Sequence, residues 1–342
     1  MGVYLTPIII KKDVELEDLK GKSFAVDANN YLYQFLALIR KFDGTPLKDS
    51  NGNITSHLAG LMFRTTRLIL EYKLKMVFVF DGKPPLLKMR ELEKRREIKL
   101  RATEEWMKAL KVGDYEAAFS KAVVTSRLSQ TMIDDAKRLL DLLGIPFVQA
   151  PSEAEAQAAY MASKGSVWAS SSKDYDSLLF NTPKLVRYLT ITGKEYLPSR
   201  KMFRPLKPEL IVLDEFLKYH GITLPQLVDL AILIGTDFNE GVTGIGPKKA
   251  LKLIKTYKKI ENLPYEFASK LADNYNEVRK IFLEPKVTED YNVEYGSFRE
   301  EELYNFLCNG RDFSIRSVKT VISRMKKFYS EMGQTSLGKW LK

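Results

Sequence analysis

Seven acidic residues stand where apolar runs end, and few folds can accommodate that pattern. Asp27 follows Phe24-Ala25-Val26, and Asp81 follows Met76-Val77-Phe78-Val79-Phe80. Glu153 and Glu155 follow Ile145-Pro146-Phe147-Val148, Asp174 and Asp176 follow Val167-Trp168-Ala169, and Asp237 follows Leu230-Ala231-Ile232-Leu233-Ile234. Short apolar runs alternating with helical stretches predict buried parallel strands. In an open parallel sheet the ligand crevice lies beyond the carboxyl ends of the strands. The acids are therefore expected to converge there from distant parts of the chain, which carboxylates tolerate around cations. Each also has a local explanation: Asp27 as a loop or N-cap residue, Asp81-Gly82 as a turn, Ser152 to Glu155 as a capping box, and Asp237 with Asn239 as turn chemistry. It is the recurrence at one topological place that the local explanations leave unexplained.

Composition narrows the cation. With one cysteine, Cys308, and two histidines, His57 and His220, neither a disulfide framework nor a thiolate or histidine-rich zinc site is available. The ligands must be oxygen atoms, which favours Mg²⁺, with Mn²⁺ as a substitute. The net charge of +11 in spite of 43 acidic residues predicts a basic surface around an acidic pocket. Such a surface suits a polyanionic substrate. No apolar run reaches the ~18 residues of a membrane span, and the start lacks a basic segment followed by an apolar one, so a cytoplasmic protein without membrane attachment is expected.

Five regions are expected along the 342 residues: 1–84, the N-terminal part of an α/β core; 85–128, a helical insertion; 129–215, the rest of the core; 216–329, a mostly helical region; and 330–342, a short tail. Residues 86–110 are helix-compatible and dense in charge, the pattern of a helix that bridges solvent rather than docking on a core. Lys88 and Arg95 lie two turns apart on one face, and Lys99 continues it. They are placed to neutralise a phosphodiester that the acids would repel. Gly244-Ile245-Gly246-Pro247-Lys248-Lys249, between two helical stretches, has the grammar of a helix–hairpin–helix, whose amides and helix N-terminus hold a DNA phosphate. In the tail, Gln334, Leu337, Trp340 and Leu341 have the spacing of a 3₁₀-like turn that presents Leu and Trp to a partner's apolar pocket.

These features in this order resemble the flap endonucleases, in particular archaeal-type members of the structure-specific 5′-nuclease family. The resemblance spans nearly the whole chain. It is carried by Val26-Asp27-Ala28, Val79-Phe80-Asp81-Gly82-Lys83-Pro84-Pro85, Ala150-Pro151-Ser152-Glu153-Ala154-Glu155-Ala156, Asp174-Tyr175-Asp176-Ser177-Leu178-Leu179-Phe180, Gly235-Thr236-Asp237-Phe238 and the glycine hairpin. It implies a PIN/Rossmann-like nuclease core with a helical arch and a helix–hairpin–helix. The activity implied is structure-specific 5′ flap endonuclease and 5′–3′ exonuclease, with two metal ions, in Okazaki-fragment maturation and long-patch base excision repair. By the same resemblance Asp27, Asp81, Glu153, Glu155, Asp174, Asp176 and Asp237 are metal ligands, and Lys88 and Arg95 are catalytic cations. Tyr33 stacks the terminal nucleotide. Arg40, Thr55, Arg64 and Arg67 lie near the upstream duplex and the 3′ flap pocket, and Gly244, Gly246, Lys248 and Lys249 hold the downstream duplex with a K⁺ ion. The tail is implied to bind a sliding clamp, and the protein to be monomeric alone. Three positions depart from the family pattern: Lys173, Asn181 and Leu341. A non-catalytic junction binder and a metal-dependent ribonuclease are the competing readings.

Overall fold

The computed structural model describes residues 2–190, 193–197 and 202–340, without the side chains of 193–197, 202–205 and 334–340. Apolar runs with no polar alternate demand cover on both faces of a strand, and the chain builds a sheet between helices. In chain order the first elements are β1 (Lys12–Asp13), β2 (Ser23–Asp27), α1 (Ala28–Leu38), α2 (Ser56–Tyr72) and β3 (Lys75–Phe80). The insertion follows as α3 (Met89–Lys111) and α4 (Tyr115–Val124). The core resumes with α5 (Gln130–Leu142), β4 (Phe147–Gln149), α6 (Ala154–Ser163), β5 (Ala169–Ser171), α7 (Asp176–Leu179) and β6 (Lys184–Arg187). A separate hairpin of β7 (Gly193–Leu197) and β8 (Met202–Leu206) precedes β9 (Glu209–Val212). Helices complete the chain: α8 (Leu213–His220), α9 (Leu224–Ile234), α10 (Pro247–Tyr257), α11 (Tyr265–Ala268), α12 (Tyr275–Leu283), α13 (Glu300–Tyr304) and α14 (Ile315–Trp340).

Among the described residues seven strands form the main sheet, in the order β1-β9-β6-β5-β2-β3-β4. β6, β5, β2, β3 and β4 are mutually parallel, while β9 runs antiparallel to both β6 and β1. The expected mainly parallel α/β core is what forms. The chain steps from β2 outward to β3 and β4, then returns to lay β5 and β6 on the other side of β2. That reversal opens a crevice at the carboxyl ends of β2 and β5.

Side-chain alternation distributes the core. Phe24, Val26, Met76, Phe78 and Phe80 face one layer with α1, α2, α5 and α14. Ala25, Val77 and Val79 face the other, where Ala154, Ala158 and Ala162 of α6 lie close to the sheet because they have no bulk. A further cluster joins α7, α8, α9, α10 and α12 to the sheet through Leu185 and Ile211.

The apolar run before Asp237, grouped with the strand ends yet also part of the helical stretch ahead of the glycine hairpin, is the end of the helix α9, which a Thr223–Gln226 capping box opens. Two expectations need correction. Ser152 does not cap α6; Glu153 occupies the cap position and its side chain makes no cap bond. Residues 330–340 continue α14, so the separate 3₁₀-like tail is not formed. In the insertion, Gly113 (φ +74°) ends α3 and the Asp114 carboxylate accepts the Ala117 amide at 3.0 Å, as expected. α3 buries Ala102 alone of its residues. It is tied down through Trp106, whose indole donates to the Asp43 carbonyl at 3.2 Å beside Gly44.

Candidate active site

The acids meet where four adjacent strands end. Asp27, the last residue of β2, caps α1 by accepting the Asn30 amide at 3.0 Å. The Asn30 side-chain amide then donates to Asp174 at 2.8 Å, joining the β2 and β5 ends. Asp81, just beyond β3, accepts the Ala154 amide at 2.8 Å and so caps α6 from another strand. This crossing needs Gly82, where a Cβ would lie 2.2 Å from the Ala150 carbonyl oxygen. Glu155 accepts the Ser177 hydroxyl at 3.2 Å. Asp176 accepts the Val3 amide at 2.6 Å, and Gly2 lies against its carboxylate so closely that a Cβ would sit 2.5 Å away. Asp237 arrives from beyond α9, through a loop in which Gly235 takes φ +106° and Gly241 packs on the Ile234 carbonyl.

Crowding sets the ionisation of the group. Burial pushes the Asp27 carboxyl well above its ordinary value, and Asp81 and Asp174 push it further. Glu155 is raised well above its own, by burial and then by Asp176, Asp27 and Asp174. Asp176 is pushed to about 7 by burial, reinforced by Asp237 and Asp174. Asp237 is lowered: burial opposes this, but the Arg95 guanidinium and Lys88 prevail. Carboxylates that repel one another into the neutral form need cationic company to ionise together. Among the described residues no three acidic, histidine or cysteine side chains close into a ready-made metal cage. The donors on offer are carboxylate oxygens, the hard donor type that suits Mg²⁺ or Mn²⁺.

The first turns of the α3 segment supply positive charge from above. Lys88 forms an ion pair with Glu153, stands 3.6 Å from Asp237, and is 14% exposed. Burial opposes its charge, but Glu153, Asp81 and Asp237 hold its ammonium well above the usual lysine range. Arg95 reaches Asp237 at 2.5 Å and Glu91, one turn back, at 3.0 Å. Arg90 and Lys94 both pair with Glu240, fastening the same segment to the loop after α9. Tyr33 is 37% exposed at the edge of the cluster, with the Lys99 ammonium 4.6 Å from its ring centre.

The other residues expected to bind DNA divide into two kinds. Arg40 is committed to the framework: it donates to the Leu36 carbonyl at 2.8 Å, the Gly44 carbonyl at 2.7 Å and the Ser126 hydroxyl at 2.9 Å. Arg64 donates to the Thr190 carbonyl at 2.8 Å, Thr55 is buried ahead of α2, and Arg67 pairs with Glu71 on the helix surface. The hairpin, in contrast, is open. Gly244 has φ +80°, Gly246 precedes Pro247 at the start of α10, neither has anything near its missing Cβ, and Lys248 and Lys249 are exposed. Lys173 is exposed beside Asp174. Asn181 takes φ +65°, the conformation in which a glycine is unstrained. Gln334, Leu337 and Trp340 lie on the last turns of α14, and Leu341 and their side chains fall outside the described residues. Asn30, Gly2 and Val3 were missed from sequence, since a lone asparagine and two residues near the start carry no pattern.

The architecture is that of the XPG-type nuclease class. The XPG N-terminal domain model matches residues 1–102 and the XPG I-region model residues 144–237. The chain belongs to the flap endonuclease 1 family, and is thus a nuclease that hydrolyses phosphodiester bonds of DNA. It is 50% identical to flap endonuclease 1 of Pyrococcus furiosus, with all of both chains covered, and 51% identical to that of Pyrococcus abyssi, covering 99% of this chain and 98% of the relative. The solved flap endonuclease-1 of Methanococcus jannaschii superposes with a TM-score of 0.76 at 40% identity, covering 97% of this chain and 100% of that one. The catalytic core of Rad2 in complex with DNA substrate shares the fold, with a TM-score of 0.68 at 23% identity over 95% of this chain and 100% of its own.

Proposed function

We propose that this nuclease cuts branched DNA at the base of 5′ flaps and trims 5′ ends, using two Mg²⁺ ions shared by Asp27, Asp81, Glu153, Glu155, Asp174, Asp176 and Asp237. The observation that carries the proposal is the convergence of carboxylates from separate segments, with Asn30 joining Asp27 to Asp174, Asp81 on the Ala154 amide, and Lys88 and Arg95 paired with Glu153 and Asp237. When bound, the ions supply an activated water and stabilise the charge of the transition state. Lys88 and Arg95 neutralise Glu153 and Asp237 in the DNA-free chain. Once those carboxylates are otherwise engaged, the two cations are free to reach the scissile phosphate. Tyr33, at the exposed edge, stacks the unpaired terminal base. The open amides around Gly244 and Gly246, with Lys248 and Lys249, hold a duplex phosphate together with a K⁺ ion, a contact that reads backbone and not sequence.

Arg40, Thr55, Arg64 and Arg67 fit the upstream duplex and the 3′ flap pocket, the first three as rigid walls and Arg67 as a charge. The end of α14, with Gln334, Leu337, Trp340 and Leu341, is assigned to a sliding clamp, and the free protein to a monomeric state. The roles that follow are Okazaki-fragment maturation and long-patch base excision repair, within the cytoplasm. None of the helices among the described residues is long and apolar enough to cross a membrane. The deciding assay is cleavage of a labelled double-flap DNA with and without Mg²⁺, in the parent and in Asp176→Ala. Cleavage confined to the parent with Mg²⁺ is expected, with DNA binding retained by the variant. Full activity of Asp176→Ala, or of the parent after chelation, would refute the shared metal site.

A further inference from the structure

The row of strand ends carries acids at β5, β2, β3 and β4, but the next strand, β6, ends in a cation, Arg187. It is 8% exposed. Its Nε donates to the Lys173 carbonyl at 2.8 Å, its Nη1 to the Tyr175 hydroxyl at 2.6 Å and to Glu209 at 2.8 Å, and its Nη2 to the Tyr188 hydroxyl at 2.9 Å. The guanidinium lies against two aromatic rings, 4.0 Å from the centre of Tyr175 and 4.7 Å from that of Tyr188.

Glu209 provides the counter-charge that a buried arginine requires. Charge balance alone, however, explains neither the bond to Lys173 nor the bond to Tyr175. Those two residues flank Asp174, and Tyr175 also separates Asp174 from Asp176. β5 ends at Ser171 and α7 begins at Asp176, so neither the sheet ladder nor a completed helical turn fixes residues 173–175. Other bonds to this stretch are the Asn30 side-chain amide on the Asp174 carboxylate at 2.8 Å, the Leu178 amide on the Tyr175 carbonyl at 2.9 Å, the Asp174 amide on the Ser172 hydroxyl at 3.2 Å, and the Tyr175 hydroxyl against the Thr6 hydroxyl at 3.3 Å. None of these holds the Lys173 carbonyl, and the Arg187 bond to the Tyr175 hydroxyl is shorter than the one from Thr6.

We infer that Arg187 is a positioning residue of the nuclease site: by gripping the Lys173 carbonyl and the Tyr175 hydroxyl, it sets the directions in which Asp174 and Asp176 face the cations. The inference rests on the assignment of those acids as metal ligands. Groups that orient metal ligands without touching the metal typically change metal affinity or activity by about 10–100-fold. Lysine cannot replace the planar fork, since one ammonium reaches neither the same set of acceptors nor both rings.

The test measures Mn²⁺ binding to the DNA-free full chain by calorimetry, and single-turnover flap cleavage across a series of Mg²⁺ concentrations. Arg187→Lys should weaken Mn²⁺ binding by about 10-fold or more and raise the Mg²⁺ concentration needed for half-maximal rate, with flap-DNA affinity in the absence of divalent ions unchanged. Tyr175→Phe removes one hydroxyl, keeps the ring, and should shift both quantities the same way by a smaller factor; it carries the test if Arg187→Lys does not fold. Metal dependence equal to the parent's in the folded variants overturns the inference, as does lost stability without altered metal dependence. Asp176→Ala is the control. If it leaves Mn²⁺ binding intact, the ligand assignment fails and the inference with it; if it weakens binding while the other two variants do not, the Arg187 inference alone fails.

Discussion

Replacing Lys88 with methionine removes the ammonium at the centre of the site while keeping the aliphatic stem, and its effect can be worked from the charges that face it. Lys88 favours the ionised forms of Asp27, Asp81, Glu153, Asp176 and Asp237. Its separation from Asp237 is 3.6 Å, and both side chains are largely withdrawn from water. Opposite unit charges at that distance attract by roughly 4 to 5 kcal/mol at an effective dielectric of about 20. Desolvation offsets part of this. A remainder on the order of 2 kcal/mol corresponds to about 1.5 pH units, at about 1.36 kcal/mol per unit. The sign follows directly. Without the cation the acids bind protons more readily, so on acidification they lose charge earlier and the acidic limb of the pH–rate profile moves to higher pH. At neutral pH the single-turnover rate on a saturating flap substrate should also fall by about 10²–10³-fold, the usual cost of losing one preorganised charge at a transition state. Single-turnover profiles of parent and variant over the same pH range provide the measurement. An unmoved acidic limb together with a near-parent rate would show that Lys88 neither tunes the acids nor serves the phosphate.

Arg40→Ala should act on stability before DNA affinity, since the guanidinium is spent on three internal acceptors. A cost of about 2–4 kcal/mol in denaturant unfolding is expected from hydrogen bonds made by a charged group, and an undiminished midpoint with weakened duplex binding would reverse that order. His57 is fully buried, and burial, with Arg311 adding to it, holds its ring down at about 4 against an ordinary 6.5. A folded value below the unfolded one means stability present above pH 6.5 and lost as the pH falls toward 4, by up to about 3 kcal/mol. His57→Leu should therefore remove that part of the pH dependence, seen as a shallower loss of stability than the parent's in this window; equal slopes would count against it. Removing residues 334–342 should spare unaided cleavage and abolish stimulation by a sliding clamp, and an unaltered response to the clamp would reject the assigned contact.

Much of the fold was legible because one signal was repeated. Asp27 and Asp81 could be placed at strand ends, since Phe24-Ala25-Val26 and Met76 to Phe80 admit no polar residue, and buried parallel strands are the structure in which such runs end together. The run before Asp237 carried two readings: five apolar residues are also the last turn and a half of a buried helix, periodicity cannot separate the two over so short a run, and the helical stretch that flanks the glycine hairpin is the one that forms. The Ser152–Glu155 motif misled for a different reason. Its capping bonds are local options, and the Asp81 carboxylate, just beyond β3, satisfies the Ala154 amide instead. In the same way the polar stretch after Ser330 reads as a tail, yet its backbone simply continues a helix already anchored by Val318, Val321, Met325 and Phe328.

The sequence by itself determined the inventory of candidate residues: which acids, which cations, the absence of thiolate or histidine-rich ligand sets, and the order along the chain in which the acids recur. These follow from residue identity and spacing, which folding cannot alter. Only the tertiary structure decided who neutralises whom. Lys88 on Glu153, Arg95 on Asp237, Asn30 between Asp27 and Asp174, Val3 on Asp176, and Arg187 behind the Asp174–Asp176 segment are contacts between residues mostly more than sixty positions apart. Such pairings depend on how helices seat on the sheet and where a reversal of strand order opens a crevice, and no local pattern encodes them. The acids were written in the chain; their ionisation was set by the neighbours that packing gave them.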